Sequence, residues 1–283
     1  MLGSSNRQKE HQKRSKMKQK MNAKRVMMAC TVVLAMSMGM ISCSSCMSEW
    51  KTQTILSDGP KVTEVRQLAG FEEIEINGSP RVCYTQADSF SVCVKGTQEA
   101  VDNLLTDVEG KTLSIRNRGK IKLVNISFDD NGLTVYVTSP DLTGIRLNGS
   151  GDFEAKGRVD TDKMDIVLRG SGDIDMKDII CDRCGVELIG SGDISLGSLD
   201  AIKTSATLIG SGDVSLGLLH VKDTYLSLKG SGDINADFKE GCGAVECELR
   251  GSGDISLKGK VQKFSQHKSG SGDIDINRLT VNK

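Results

Sequence analysis

The most regular chemistry in this 283-residue chain is carried by Asp152, Asp173, Asp193, Asp213, Asp233, Asp254 and Asp273. Each closes a Gly-Ser-Gly-Asp tetrapeptide, and successive tetrapeptides begin 21, 20, 20, 20, 21 and 19 residues apart. A carboxylate at one fixed place in every unit suits two kinds of chemistry. It can accept backbone N–H bonds in an Asx-type turn, the glycines supplying backbone angles closed to other residues. Alternatively it can feed a column of calcium ions, since calcium-binding β-rolls use a related Gly/Asp grammar. Calcium takes about six to eight oxygens, and one carboxylate with one Ser hydroxyl per unit is a thin supply. The turn reading therefore leads, with calcium as the first alternative, a carbohydrate-binding face on this edge as the second, and no other cofactor expected.

The cysteines offer less. Cys83 and Cys93 flank what reads as a hairpin turn and form the candidate disulfide. Cys181-Asp182-Arg183-Cys184 has metal or redox spacing, and Cys242 and Cys247 make a second close pair. A zinc site needs four convergent ligands, and these pairs lie three repeats apart, so small buried hydrophobes are expected. His11, His220 and His267 are isolated in sequence, so no Ser-His-Asp or Cys-His arrangement can be placed. Asp173/Asp175 and Asp273/Asp275 could be carboxylates of a polysaccharide-cutting site, but residues two apart on a strand simply follow the repeat. Asp129-Asp130-Asn131-Gly132 reads as a hairpin turn. These residues point away from an enzyme.

The elements that position the aspartates are legible from alternation. Apolar residues sit two and four before the first Gly of most repeats, as in Leu168/Ile166, Leu188/Val186 and Leu228/Leu226, and again just after the Asp, as in Ile174/Met176 and Ile194/Leu196. Period two with one face buried is the strand signature. Each unit divides into a strand into the corner, a strand out of it, and a looser return carrying pairs such as Ile179/Cys181, Leu199/Ala201 and Leu219/Val221. The fold class expected is all-β, a parallel β-helix or solenoid of about twenty residues per coil, because one coil cannot bury its own apolar face and stacked coils can. A chain with 4% aromatic residues and 31 glycines predicts a thin aliphatic core with many tight turns. In the last coil Gln266 and Lys268 replace apolar residues, which suits a polar end cap.

From about 61 to 148 the pattern is irregular. Residues 71–76 alternate as a strand, 81–84 and 90–94 look like hairpin arms, 98–105 suits a short helix, and 113–115 and 133–137 return to strand. Asn77-Gly78-Ser79-Pro80 reads as a degenerate first corner with Pro80 in place of the Asp. Residues 61–283 are expected to form a single domain, with regular coils from 149 onward.

The first sixty residues read as an address. Nine basic residues precede Val26, against the single acid Glu10, and an uncharged apolar run of about sixteen residues follows, too short for a comfortable membrane span and right for a signal peptide. Ser42-Cys43 then resembles a bacterial lipobox, so residues 1–42 are expected to be a basic tail and lipoprotein-type signal, Cys43 the lipidated residue, and 43–60 a linker. Met17 and Met21 are alternative starts. Taking nine bases and one acid from the 37 of each sign leaves 28 against 36 beyond the signal. That acidic balance argues against nucleic acid as a partner.

The run Gly70-Phe71 through Ile74-Glu75-Ile76-Asn77-Gly78, followed by tandem Gly-Ser-Gly-Asp-Ile turns, resembles the auto-transporter adhesin family called the head GIN domain over roughly 65–280. The resemblance implies a β-helical, lipid-anchored cell-envelope protein of Bacteroides-like bacteria and no known reaction. The resulting expectation is a non-enzymatic envelope module, adhesive or structural, held at the outer membrane by its lipid and meeting a surface glycan or protein ligand. The alternatives are a glycan-binding module and a polysaccharide-acting β-helix enzyme.

Overall fold

The computed structural model describes residues 61–118 and 133–282. Asp129–Gly132 and the whole signal and linker segment, Cys43 included, lie outside the described residues.

One coil shows how the sequence folds. Strand β10 (Lys163–Gly170) enters a Gly-Ser-Gly-Asp corner, and β11 (Asp173–Gly190) leaves it and runs on into the next corner. Along β11 the alternation of buried and outward residues breaks twice, at Lys177-Asp178 and Asp182-Arg183, where two neighbours both point outward. In a strand that marks a bend, because successive side chains otherwise alternate sides. Each coil thus has three sides: a long one such as 183–190 and two short ones, 173–177 and 178–182. The expected division into entering, leaving and returning segments holds, but the return is continuous strand.

Successive coils pair in parallel. β10 lies on the second half of β11, and β11 lies along its whole length on β12 (Asp193–Gly210). The long side continues through β14 (Asp223–Gly230), β16 (Ala244–Gly251) and β18 (Lys263–Gly270). The short sides continue through β13 (Asp213–Leu219), β15 (Asp233–Glu240), β17 (Ile255–Val261) and β19 (Ile274–Val281). Identical registers stack like on like. Leu168, Leu188, Leu208, Leu228 and Leu249 form one column and Ile174, Ile194, Val214, Ile234 and Ile255 another, all essentially inaccessible. Each such side chain contributes about 2 kcal/mol of burial.

Variation in repeat length is taken up away from the Gly-Ser-Gly-Asp corner. The 21-residue first interval is absorbed where the pairing slips between Met176 and Asp178 opposite β9 (Asp152–Asp160). In β13 the slip falls after Leu216, so Leu218 and Val221 are buried and Leu219 is only half-buried, which corrects the expected Leu219/Val221 pair. His220, at φ 56°, is the non-glycine residue that resets the register.

The N-terminal part departs most from expectation. β2 (Glu73–Gly78) pairs in parallel with β8 (Gly144–Gly149) on one side and β6 (Thr112–Asn117) on the other. β3 (Arg81–Gln86) lies likewise between β9 and β7 (Thr134–Ser139). The chain therefore steps backward after β3, adds β4 (Ser91–Gly96), helix α1 (Gln98–Asn103), β5 (Leu104–Glu109), β6 and β7, then skips over the first coil to resume at β8. β1 (Val62–Arg66) closes one edge antiparallel to β4, and β5 closes the other antiparallel to β6. Thr97 caps α1, its hydroxyl accepting the Ala100 N–H. The expected hairpin of 81–84 with 90–94 does not form, because β7 lies between the two strands. This end holds the large buried aromatics Phe71 and Tyr84, with Phe153 of the first regular coil stacked on Tyr84, so the core is aliphatic only further along the regular coils, where Phe238 is also buried.

Candidate functional site

The Gly-Ser-Gly-Asp edge is built by steric necessity. The first glycine of each corner has φ between 130° and 144°, a region that L side chains rarely enter. The second has room only for hydrogen: a Cβ on Gly192, Gly212 or Gly232 would lie 1.9–2.0 Å from the carbonyl oxygen of the matching glycine one coil back. The serine between them points to solvent. In the last corner Ser271 Oγ donates to Ser252 Oγ at 3.3 Å.

The aspartates form the expected row, one per coil, but they do not act within their own turns. Oδ1 of Asp173, Asp193, Asp213, Asp233 and Asp254 each accepts the backbone N–H of the next coil's aspartate, at 2.7–3.2 Å. That is a correction to the Asx-turn expectation, and its cause is the in-register stack: each carboxylate lies beside the next coil's amide. The bond also offsets like-charge repulsion along the row. Cations stand at both ends. Arg81 approaches Asp152 at 3.9 Å, and Lys268 Nζ donates to Asp273 at 2.6 Å. Burial first, then the charge of Asp173, pushes the Asp152 carboxyl up, against the pull of Arg81.

The register revises the degenerate corner. Gly78 pairs with Gly149 and Arg81 with Asp152, so Pro80 replaces the second glycine and Arg81 stands in the Asp place. Aligning Gly78 with Gly149 in the sequence would have found this. Lys268, read only as an end-cap residue, was missed as the partner of the last aspartate.

The other sequence candidates are placed as follows. Cys83 and Cys93 are free and face Tyr136 from opposite sides. Two ladder spacings separate them by about 10 Å, beyond the reach of a disulfide, so the structure does not bring this candidate pair together. Cys181, Cys184, Cys242 and Cys247 are buried, as expected of small hydrophobes. Burial pushes the Cys247 thiol up to about 12. His220 sits half-buried between Asp200 Oδ2, 3.3 Å from Nδ1, and Glu240 Oε2, 3.5 Å from Nε2. Among the described residues, no three His, Cys, Asp or Glu side chains converge as a metal cage.

A shallow trough of about 310 Å³ runs up one short side across five coils. Ser195, Ser215, Asn235 and Ser256 line it, with Lys239, Lys258 and Arg278 beside them. Gly197 and Gly217 open its floor. Lys239 Nζ donates to the Gly197 carbonyl at 3.0 Å, and Lys258 pairs with Asp237 at 3.2 Å. Such a surface offers hydroxyl, amide, carboxylate and cationic contacts.

Repeated coils, a row of matching turns and a capped N-terminal end define a parallel β-solenoid of the adhesin-head type. The chain belongs to the family described as "Putative auto-transporter adhesin, head GIN domain", whose model matches residues 70–244 and 210–283. Among solved structures, a protein of Bacteroides fragilis described as a putative adhesin is 26% identical, with TM-score 0.67 over 76% of this chain and 96% of its own. A putative adhesin of Parabacteroides distasonis shares the fold at 19% identity and TM-score 0.64, over 77% of this chain and 97% of its own. A third, from the same species and described as a putative lipid binding protein, shares it at 21% identity and TM-score 0.54, over 80% and 98%. Among curated proteins none matches.

Proposed function

We propose that this chain is a non-enzymatic envelope lipoprotein, anchored through Cys43 and presenting its solenoid as an adhesive or structural module. The observation that carries the reading is the repeated face: the described solenoid sets like side chains at ladder spacing up the stack, which suits contact with an extended partner. Membership of an adhesin-head family supports display at the cell surface or envelope. The basic run, the apolar run and Ser42-Cys43 support the anchor, placed at the outer membrane. The test is fractionation of cells expressing the chain and its Cys43→Ala variant. The parent is expected in the membrane fraction and released by detergent, the variant in the soluble fraction. Equal partition of the two would refute the anchor.

The trough favours a second reading, a glycan-binding face. Ser215, Asn235 and Ser256 would meet sugar hydroxyls, and Lys258 and Arg278 would meet acidic groups. Binding of acidic polysaccharides, lost in a Lys258→Ala/Arg278→Ala variant with an unchanged melting curve, supports it. Binding unaffected by the double change rejects the trough as the contact face.

A further inference from the structure

The corner at Asp182-Arg183 holds a feature that the scaffold does not require. Its outward residues are Asp182 and Arg183, and its inward residues are Cys181 and Cys184, each 2% exposed. Two inward side chains on either side of a bend enter the same corner, so Cys181 and Cys184, both free and three residues apart, share one small buried space. The same inward positions hold Ala201 and Thr204 in the next coil, and Met164 pairs with Cys184 in the preceding one. Stacking therefore needs only a side chain that fits, and two cysteines in one corner exceed that need.

We propose that Cys181 and Cys184 are a disulfide site, oxidised within one coil as the chain folds in an oxidising envelope. This inference rests on the export reading above. The co-reactant is a thiol–disulfide oxidant, either a protein dithiol oxidase or a low-molecular-weight disulfide. One cysteine thiolate attacks a sulfur of the oxidant's disulfide, forming a mixed disulfide and releasing the oxidant's other sulfur as a thiolate. The second cysteine thiolate then attacks the protein sulfur of that mixed disulfide. The Cys181–Cys184 bond forms, the oxidant leaves reduced, as a protein dithiol or as two small thiols, carrying the two electrons, and the two protein thiol protons pass to solvent or to the departing thiolates. The exchange precedes closure of the coil, because in the folded chain both sulfurs are buried away from any oxidant. The neighbouring Cys181 thiol and burial also hold the Cys184 thiol well above its ordinary value, which keeps the closed pair unreactive.

The test uses the full chain expressed with its own signal and recovered from the envelope fraction. It is denatured and alkylated without reductant, then digested with trypsin. Cleavage at Lys177, Arg183 and Lys203 separates the two cysteines, so a disulfide holds peptides 178–183 and 184–203 together until reduction. The linked pair is expected about 2 Da lighter than the sum of its reduced peptides. In a Cys181→Ala variant, which places in this coil the residue its neighbour carries, Cys184 is expected to be fully alkylated. Both cysteines alkylated in the unreduced parent, or either one linked to a different cysteine, overturns the proposal. The membrane partition of the same sample is recorded separately, so a failure of export is distinguished from a failure of the bridge in exported chain.

Discussion

Replacing Gly212 by Ala isolates the close approach of coils, because its backbone lies outside the left-handed region. The added Cβ would sit 1.9 Å from the Gly192 carbonyl oxygen. A carbon needs roughly 3.5 Å, so the corner must open by about 1.5 Å. Opening it strains the Ser211 N–H bond to Gly190, now 2.9 Å, and the Asp213 N–H bond to Asp193 Oδ1, now 3.0 Å. Two weakened bonds at about 1 kcal/mol each, with about 1–3 kcal/mol of overpacking, give a destabilisation of about 3–5 kcal/mol. For a domain of this size that lowers the melting midpoint by roughly 10 °C. Circular dichroism melts of the solenoid read it, with Gly157→Ala as the control, since a Cβ there meets nothing within 4 Å. A Gly212→Ala midpoint within 1–2 °C of the parent, or an equal loss in the control, would refute the reasoning.

Asp213→Asn keeps an acceptor for the Asp233 amide and removes one charge from the row; denaturant unfolding should show equal or slightly raised stability, with the gain shrinking in high salt. Asp213→Ala should lose about 1 kcal/mol. Millimolar calcium against chelator should leave the midpoint unchanged, since one oxygen of most row carboxylates already holds an amide; a rise of several degrees would contradict that. Burial pushes the Tyr84 hydroxyl up to about 12, its bond to Ser139 notwithstanding. A folded value raised above the unfolded one gives stability that is full below pH 10 and lost as pH climbs towards 12. The loss of stability between pH 10 and 12 should therefore be smaller in Tyr84→Phe than in the parent, by about 2–3 kcal/mol; an identical alkaline limb in both proteins would refute the assignment.

The regular coils were legible because glycine spacing and apolar period fix the same register. Leu188 and Leu208 could be stacked from the sequence alone. The backward step after β3 was not, since the alternation of 81–84 and 90–94 is the same whether the strands pair directly or across β7. The Pro80 corner was misaligned because a three-residue match ignored the alternation beyond Arg81. The aspartate row was legible as a row, but its bonds run between coils, and local turn chemistry has no signal for that. The convergence of Cys181 and Cys184 also needed the bend at Asp182-Arg183, which spacing alone does not reveal.

The aspartate row, the trough and the repeated face all depend on coils stacked in register, and one distance tests that. Ser171 and Ser252 occupy the same exposed corner position, and Ser191, Ser211 and Ser231 mark the corners between them. Four spacings of about 4.8 Å place them about 19 Å apart. Spin labels at Ser171→Cys and Ser252→Cys, in a chain from position 61 onward whose half-buried Cys83 and Cys93 are replaced by Ser, should give one narrow distance near that value, widened only by the label arms. A broad distribution, or a distance near that of an extended chain between the two positions, would contradict the stacked solenoid.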